Sequence, residues 1–468
     1  MNAKGLLRSR FLRDSATLQL GAMCLAFGSL LGLIALTHIL GANGQGEFYI
    51  AIAIYSFLWL LTGLGLYPVV ISHVAKASAR DDKADVAAWL AYLGKGTAIL
   101  ALGTLALAWF GLPAAVEYWL GADLRDPDRM AHNAIILCVI PLVEVPRLVG
   151  LAGLTGTRRM ASVARVENGQ EACRVLLVVV GALVTGDARG PVVGMVLASC
   201  LGSLLAVEAW VREARQGHVP SARAVFDARH ALGIRAGLRE GIQMGLVRNI
   251  DAYGVQILPA LILGHFGTAS WVAYLRTAQR FTDMARMLMQ GISRTALPVL
   301  SELRGVKSRG RLRSVYWRAS LLSGMTVGLG LLLGLPLAPT VLERLLPPNY
   351  ADPVWRCLLI LLPGVIVVGF SVANDTFYLV TGTLKVGIAL SLVGLVVNTG
   401  VVALLAWSMP TVGVAYGLSF TFLWSLVHVL YAAFWFHRHV SRDGGELQNR
   451  NSPHAEESGL EQPLGGSR

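Results

Sequence analysis

Charge is scarce in this chain: 15% of its residues are Asp, Glu, Lys or Arg, against 54% that are hydrophobic. Soluble domains carry about 25% charged residues. With a mean hydropathy of +0.58, the shortage excludes a run of ordinary soluble domains and requires an integral membrane protein. Cysteine is scarcer still. Cys24, Cys138, Cys173, Cys200 and Cys357 are odd in number, far apart and set in apolar stretches. That pattern excludes a disulfide framework and a thiolate metal cluster and leaves small packing residues. No GxxxxGK[ST] phosphate loop, HExxH pair or GxSxG elbow occurs. ATP hydrolysis and the corresponding hydrolase chemistries are therefore excluded, and neither cofactor nor metal is expected.

What the chain has instead is long apolar runs. Segments of roughly 20 such residues cross the hydrocarbon core as helices, because a helix satisfies its own backbone there. About twelve are expected, near 16–40, 47–75, 87–112, 131–153, 168–186, 190–210, 237–264, 268–297, 315–342, 354–380, 384–407 and 411–436. Lys4, Arg8, Arg10 and Arg13 precede the first run, which is too long for a signal-peptide core and is read as an uncleaved helix.

The formal charge of +12 invites a nucleic-acid reading, but its distribution is topological and no nucleic-acid partner is expected. Arg212, Arg215, Arg223, Arg229 and Arg235 form one basic connection, and Arg304, Lys307, Arg309, Arg311, Arg313 and Arg318 another. Both belong on the cytoplasmic side under the positive-inside rule. Only the run 237–264 lies unmistakably between them. A second crossing is required, and 268–297 is the segment available, although Arg276, Arg280, Asp283 and Arg286 depress its hydropathy. The opposite loops hold only Arg125, Arg129, Arg189 and Arg344, so both termini are expected in the cytoplasm. Residues 437–468 form a polar cytoplasmic tail, expected to be disordered from 441 because it has little to bury.

A repeat divides the rest. ILGANG at 39–44 returns as ILGHFG at 262–267, and LTGTRR at 154–159 returns as VTGTLK at 380–385, in the same order and at nearly equal offsets. The expected architecture is all-α: a six-helix lobe over 1–210, a basic inter-lobe loop over 211–236 and a second six-helix lobe over 237–436. Six is even, so the two lobes are related by a parallel repeat.

The candidate site follows from charges placed in oil. Arg276, Arg280, Asp283, Gln290 and Arg294 share one face of the eighth run. An arginine facing lipid at mid-membrane costs about 2.5–3.5 kcal/mol, so the stripe is expected to face a wet interior. Two readings stand side by side: a cavity for an anionic substrate, or an Arg280–Asp283 or interhelical ion pair that holds helices together. Gln243, Arg248 and Asp251 on the preceding run are expected in the same interior. Glu144 and Arg147, three apart around Pro146, and Asn374 with Asp375 are further cavity or coupling candidates. Glu171 and Arg174 repeat the three-residue spacing and are read as a structural pair near the interface.

Four stretches resemble a known family: HILGANGQGEFYIAIAI, RNIDAYGVQILPALILGHFGTASWVAYLRTAQRF, ALPVLSEL and GTLKVGIALSLVGLVVN. They are similar to the polysaccharide transporters that move lipid-linked oligosaccharides, within the group that includes multidrug and toxic compound exporters. The likeness covers about residues 15–436. It implies a V-shaped pair of lobes, alternating access, and outward flipping of an undecaprenyl-pyrophosphate-linked glycan in the bacterial inner membrane. It also implies membrane lipids and polysaccharide polymerase machinery as surroundings. Arginine suits such a substrate, since its planar fork grips phosphate oxygens in pairs. Exporters of this fold commonly carry an acidic residue on the first helix, whereas Ala16–Gly46 contains no charge. That weighs against the alternative of a drug-cation antiporter. Lipid II flippases usually place charges on the first two helices, so O-antigen, capsule or exopolysaccharide assembly is favoured. A membrane glycan polymerase or ligase is the other alternative, but the loop 113–130 offers only Asp126 and Asp128 for chemistry.

Overall fold

The computed structural model describes residues 3–62, 65–120, 126–233, 235–284 and 309–450, which are almost entirely helical with no strand among them. Helix α1 (Ala3–Thr62) carries the first expected run and most of the second, and breaks at Gly41, where φ 63° and ψ −179° are not helical. Glycine tolerates that geometry at little cost. Both arms of α1 line the cavity described below. Gly65, at φ 58°, separates α1 from α2 (Leu66–Ala79). After α3 (Lys83–Leu120), the expected fourth run becomes α4 (Pro127–Leu137), α5 (Ile140–Val143) and α6 (Val145–Gly156). Pro141 and Pro146 each stand in the first turn of a new piece, where a missing N–H breaks no intrahelical bond.

Helices α7 (Met160–Thr185) and α8 (Arg189–Arg215) pack closely along glycines: a Cβ on Gly190 would run into the Gly181 carbonyl. The short α9 (Ala222–Asp227) lies in the basic connection. The second half begins with α10 (Leu238–Ala252), a π turn (Tyr253–Ile257) and α11 (Leu258–Phe266), followed by α12 over 269–284. Then come α13 (Arg309–Gly334), α14 (Ala338–Leu345), α15 (Pro348–Phe370) and α16 (Asn374–Thr381). The last three are α17 (Leu384–Ser408), α18 (Gly413–Leu423) and α19 (Ser425–Arg450). Helix α19 continues past His437 as far as Arg450; the remainder of the tail lies outside the described residues.

Among the described residues seven helices are long and apolar enough to span a membrane, or nine if two pairs bent by 42° and 66° each count once. The arithmetic differs from the run count for physical reasons. One helix carries most of two runs across Gly41, the seventh run is interrupted by the π turn, and the eighth is described only to residue 284. The repeated motifs occupy matching junctions. ILGANG holds the break in α1 and ILGHFG the break between α11 and α12. LTGTRR turns α6 into α7, and VTGTLK turns α16 into α17 through Gly382 at φ 74°. Large apolar side chains such as Phe110, Val184, Leu333 and Val396 point outward, where hydrocarbon is their solvent.

Candidate functional site: an arginine-lined cavity between the halves

A cavity of about 200 Å³ lies where the two halves meet. Helix α1 lines it with Leu33, Leu36, Phe48 and Tyr49, and α7 with Arg174. The π turn contributes Val255 and Gln256, and α12 contributes Arg276, Gln279, Arg280, Thr282 and Asp283. Cationic groups thus reach one space from both halves. On α12 the spacing of four and three residues puts Arg276, Arg280 and Asp283 on one face.

Local chemistry explains how Arg276 is held. Pro259 in α11 has no N–H, so the Val255 carbonyl lacks the donor that an α-helix would supply four residues on. Gln279 fills the gap. Its Nε2 donates to the Val255 oxygen at 3.0 Å, and its Oε1 accepts from Arg276 Nη1 at 3.0 Å. Arg276 Nη2 donates to the neighbouring Gln256 carbonyl. The π turn, a geometry often found at functional sites, therefore presents two carbonyls to α12. Both named hydrogen-bond acceptors of Arg276 are uncharged groups, and the Asp283 carboxylate shares the cavity wall with it.

Arg174 was expected near the interface, but it stands near the middle of α7 because that helix begins at Met160 rather than near 168. It pairs with Glu171 through two hydrogen bonds, Nε to Oε2 at 2.7 Å and Nη2 to Oε1. Helical spacing alone gave the pair; only the position of α7 places it on the cavity.

The other candidates are placed as follows. Glu144 and Arg147 do not line this cavity. Glu144 accepts from Arg147 Nη1 at 3.1 Å, Gln170 Nε2 at 2.8 Å and Ser199 Oγ at 2.9 Å, a network inside the first half. Asn374 accepts a 2.6 Å bond from the buried Tyr316 hydroxyl in the aromatic cluster of the second half. Gln243 is exposed on α10. The side chains of Arg248, Asp251 and Asp375 lie outside the described set, and Gln290 lies outside the described residues altogether. Glu144→Leu is expected to destabilise the fold, by up to about 3 kcal/mol, because it removes the carboxylate that half-buried Arg147, Gln170 and Ser199 share. Thermal unfolding of the detergent-solubilised variant measures this.

Two sets of contacts between the halves bracket the cavity. At one end Ser270 Oγ donates to Asn43 Oδ1, Tyr350 donates to Gln45 Oε1 at 2.8 Å, and His38 Nε2 meets the Leu345 carbonyl at 3.0 Å. There Gly46 packs so tightly on Ala269 that a Cβ would run into its carbonyl. At the other end Asn249 Nδ2 donates to the Leu60 carbonyl at 3.0 Å, and His73 meets Glu240 at 3.2 Å. A Cβ on Gly65 would stand 2.6 Å from the Gly241 carbonyl oxygen. The second arm of α1 separates the two glycines, roughly 28 Å at 1.5 Å per residue.

The class that the fold and the site define is a multi-pass helical membrane protein whose two halves meet around a charged cavity. Residues 11–304, more than half of the chain, match the family described as polysaccharide biosynthesis protein, and the chain belongs to that family. No curated protein sequence matches it. Among solved structures, an inward-facing multidrug resistance MATE family transporter of the MOP superfamily aligns with TM-score 0.70 at 16% identity, over 88% of this chain and 95% of that one. The lipid II flippase MurJ, in an inward closed conformation, aligns with TM-score 0.69 at 11% identity, over 89% and 87%. A MOP superfamily transporter from Pyrococcus furiosus, described by a binding pocket of reverse polarity, aligns with TM-score 0.53 at 16% identity, over 90% and 96%. At these identities the likeness is one of fold.

Proposed function

We propose that this protein is a flippase that carries undecaprenyl-pyrophosphate-linked oligosaccharide from the cytoplasmic to the outer leaflet of the bacterial inner membrane, for O-antigen, capsule or exopolysaccharide assembly. The observation that carries the reading is the convergence of Arg174, Arg276 and Arg280 on one cavity between the halves. A pyrophosphate needs several cations in a medium of low dielectric, and guanidinium groups bind phosphate oxygens in pairs. The family description points to glycan assembly, and the MurJ neighbour shows that this fold handles a lipid-linked substrate in that protein.

A space of about 200 Å³ holds a phosphate-sized group and not an oligosaccharide. In this reading the halves separate at one end to admit substrate and at the other to release it. The basic loop 211–236 and both termini face the cytoplasm in this reading, which the distribution of arginines supports. A drug-cation antiporter would need an acidic cavity, and the cationic wall argues against it. Inactivating the protein should leave completed lipid-linked oligosaccharide on the cytoplasmic leaflet, with its synthesis intact. Leaflet-resolved labelling of the glycan tests this; normal exposure on the outer leaflet would sink the proposal.

A further inference from the structure

We propose that Gln279 is a positioning residue that presents the Arg276 guanidinium to the substrate's anionic group and uses the π turn as its anchor. The proposal rests on the pyrophosphate reading of the cavity. Gln279 is buried, at 7% exposure, inside a membrane-spanning bundle. A buried carboxamide is retained where both of its polar ends are engaged, and here each has a defined partner. One end takes up the carbonyl that Pro259 leaves without a donor, and the other receives Nη1 of Arg276.

The consequence is geometric. An arginine side chain has four rotatable bonds, and ordering it when substrate arrives would weaken binding. Gln279 and the Gln256 carbonyl hold two of its nitrogens before any ligand is present, leaving the remaining guanidinium hydrogens for phosphate oxygens. The same glutamine caps the Val255 carbonyl, so removing it disturbs both the helix and the arginine. Those two roles separate by restoring the backbone donor.

The experiment uses the full-length protein in detergent, with inorganic pyrophosphate as the probe, and reads both the melting temperature without ligand and the pyrophosphate dissociation constant. Gln279→Leu should lower the melting temperature and weaken pyrophosphate binding about tenfold or more, as expected for loss of a charge-assisted hydrogen bond. Adding Pro259→Ala supplies an N–H that can meet the Val255 carbonyl. The double variant should regain thermal stability while its affinity stays low. Gln279→Glu should bind pyrophosphate most weakly, because its carboxylate captures Arg276 and repels the ligand.

Wild-type affinity in Gln279→Leu, or recovery of affinity along with stability in the double variant, would reduce Gln279 to a backbone cap and overturn the proposal. If the unmodified protein shows no pyrophosphate binding, the cavity reading falls and the positioning role falls with it. In that event the melting temperatures would still shift, which distinguishes the two failures.

Discussion

Arg276→Gln and Arg280→Gln are expected to abolish glycan export while leaving the amount of folded protein near normal. Both side chains line the cavity between the halves, and Arg276 rests on uncharged acceptors, Gln279 Oε1 and the Gln256 carbonyl. Removing its charge breaks two hydrogen bonds to neutral groups and leaves Arg280 on the same wall beside Asp283, so folding should survive. A scaffold role makes the opposite forecast, since breaking a buried ion pair costs about 3–5 kcal/mol and would deplete folded protein. Lysine should restore only part of the function at either position. Its single ammonium cannot reproduce the paired donors of a guanidinium. Combining Arg280→Gln with Asp283→Asn should not restore export. Size-exclusion profiles in detergent, read beside surface glycan, check these outcomes together; rescue by the double change would mean that Arg280 serves only to balance Asp283.

Gly46→Ala and Gly65→Ala should each reduce export to background, by blocking opposite ends of the transport cycle. At Gly46 the added methyl meets the Ala269 backbone, which cannot move aside as a flexible side chain would. At Gly65 the methyl meets the α10 backbone around Gly241 and Gly245, and φ 58° is itself costly for alanine. Each substitution pries the halves apart at its own end. Cysteines at Asn43 and Ser270, whose side chains touch, should cross-link readily in the parent protein and poorly in Gly46→Ala, and normally in Gly65→Ala. Equal cross-linking in all three would show that the Gly46 contact is not a gate.

Much of the fold is legible because the membrane imposes it. Hydropathy gives most of the spans; the crossing that the arginine-rich connections call for over 268–297 is described only as far as residue 284, as α12. The repeated ILG and TGT motifs mark matching junctions, with a positive φ at Gly41, Arg158 and Gly382 where the helices break. Arg276, Arg280 and Asp283 are legible for an energetic reason: charge at mid-membrane needs an interior. Arg174 is not. Helix α7 extends toward Met160 through Arg165 and Glu167, which no hydropathy window would admit, so the start of the run misplaces everything after it. The π turn leaves no periodic signature. Its one trace is Pro259, and the partner that completes it, Gln279, sits inside RTAQRFTDMAR as a neutral residue among louder charges.

Movement of the pyrophosphate-linked lipid by the purified protein tests the account most directly. In sealed proteoliposomes loaded with undecaprenyl-pyrophosphate-linked oligosaccharide, the glycan exposed to an external lectin should equilibrate between leaflets with the wild-type protein. It should not do so when Arg276 and Arg280 are both glutamine. Equal translocation by the two proteins would contradict the claim that the arginine-lined cavity carries the substrate.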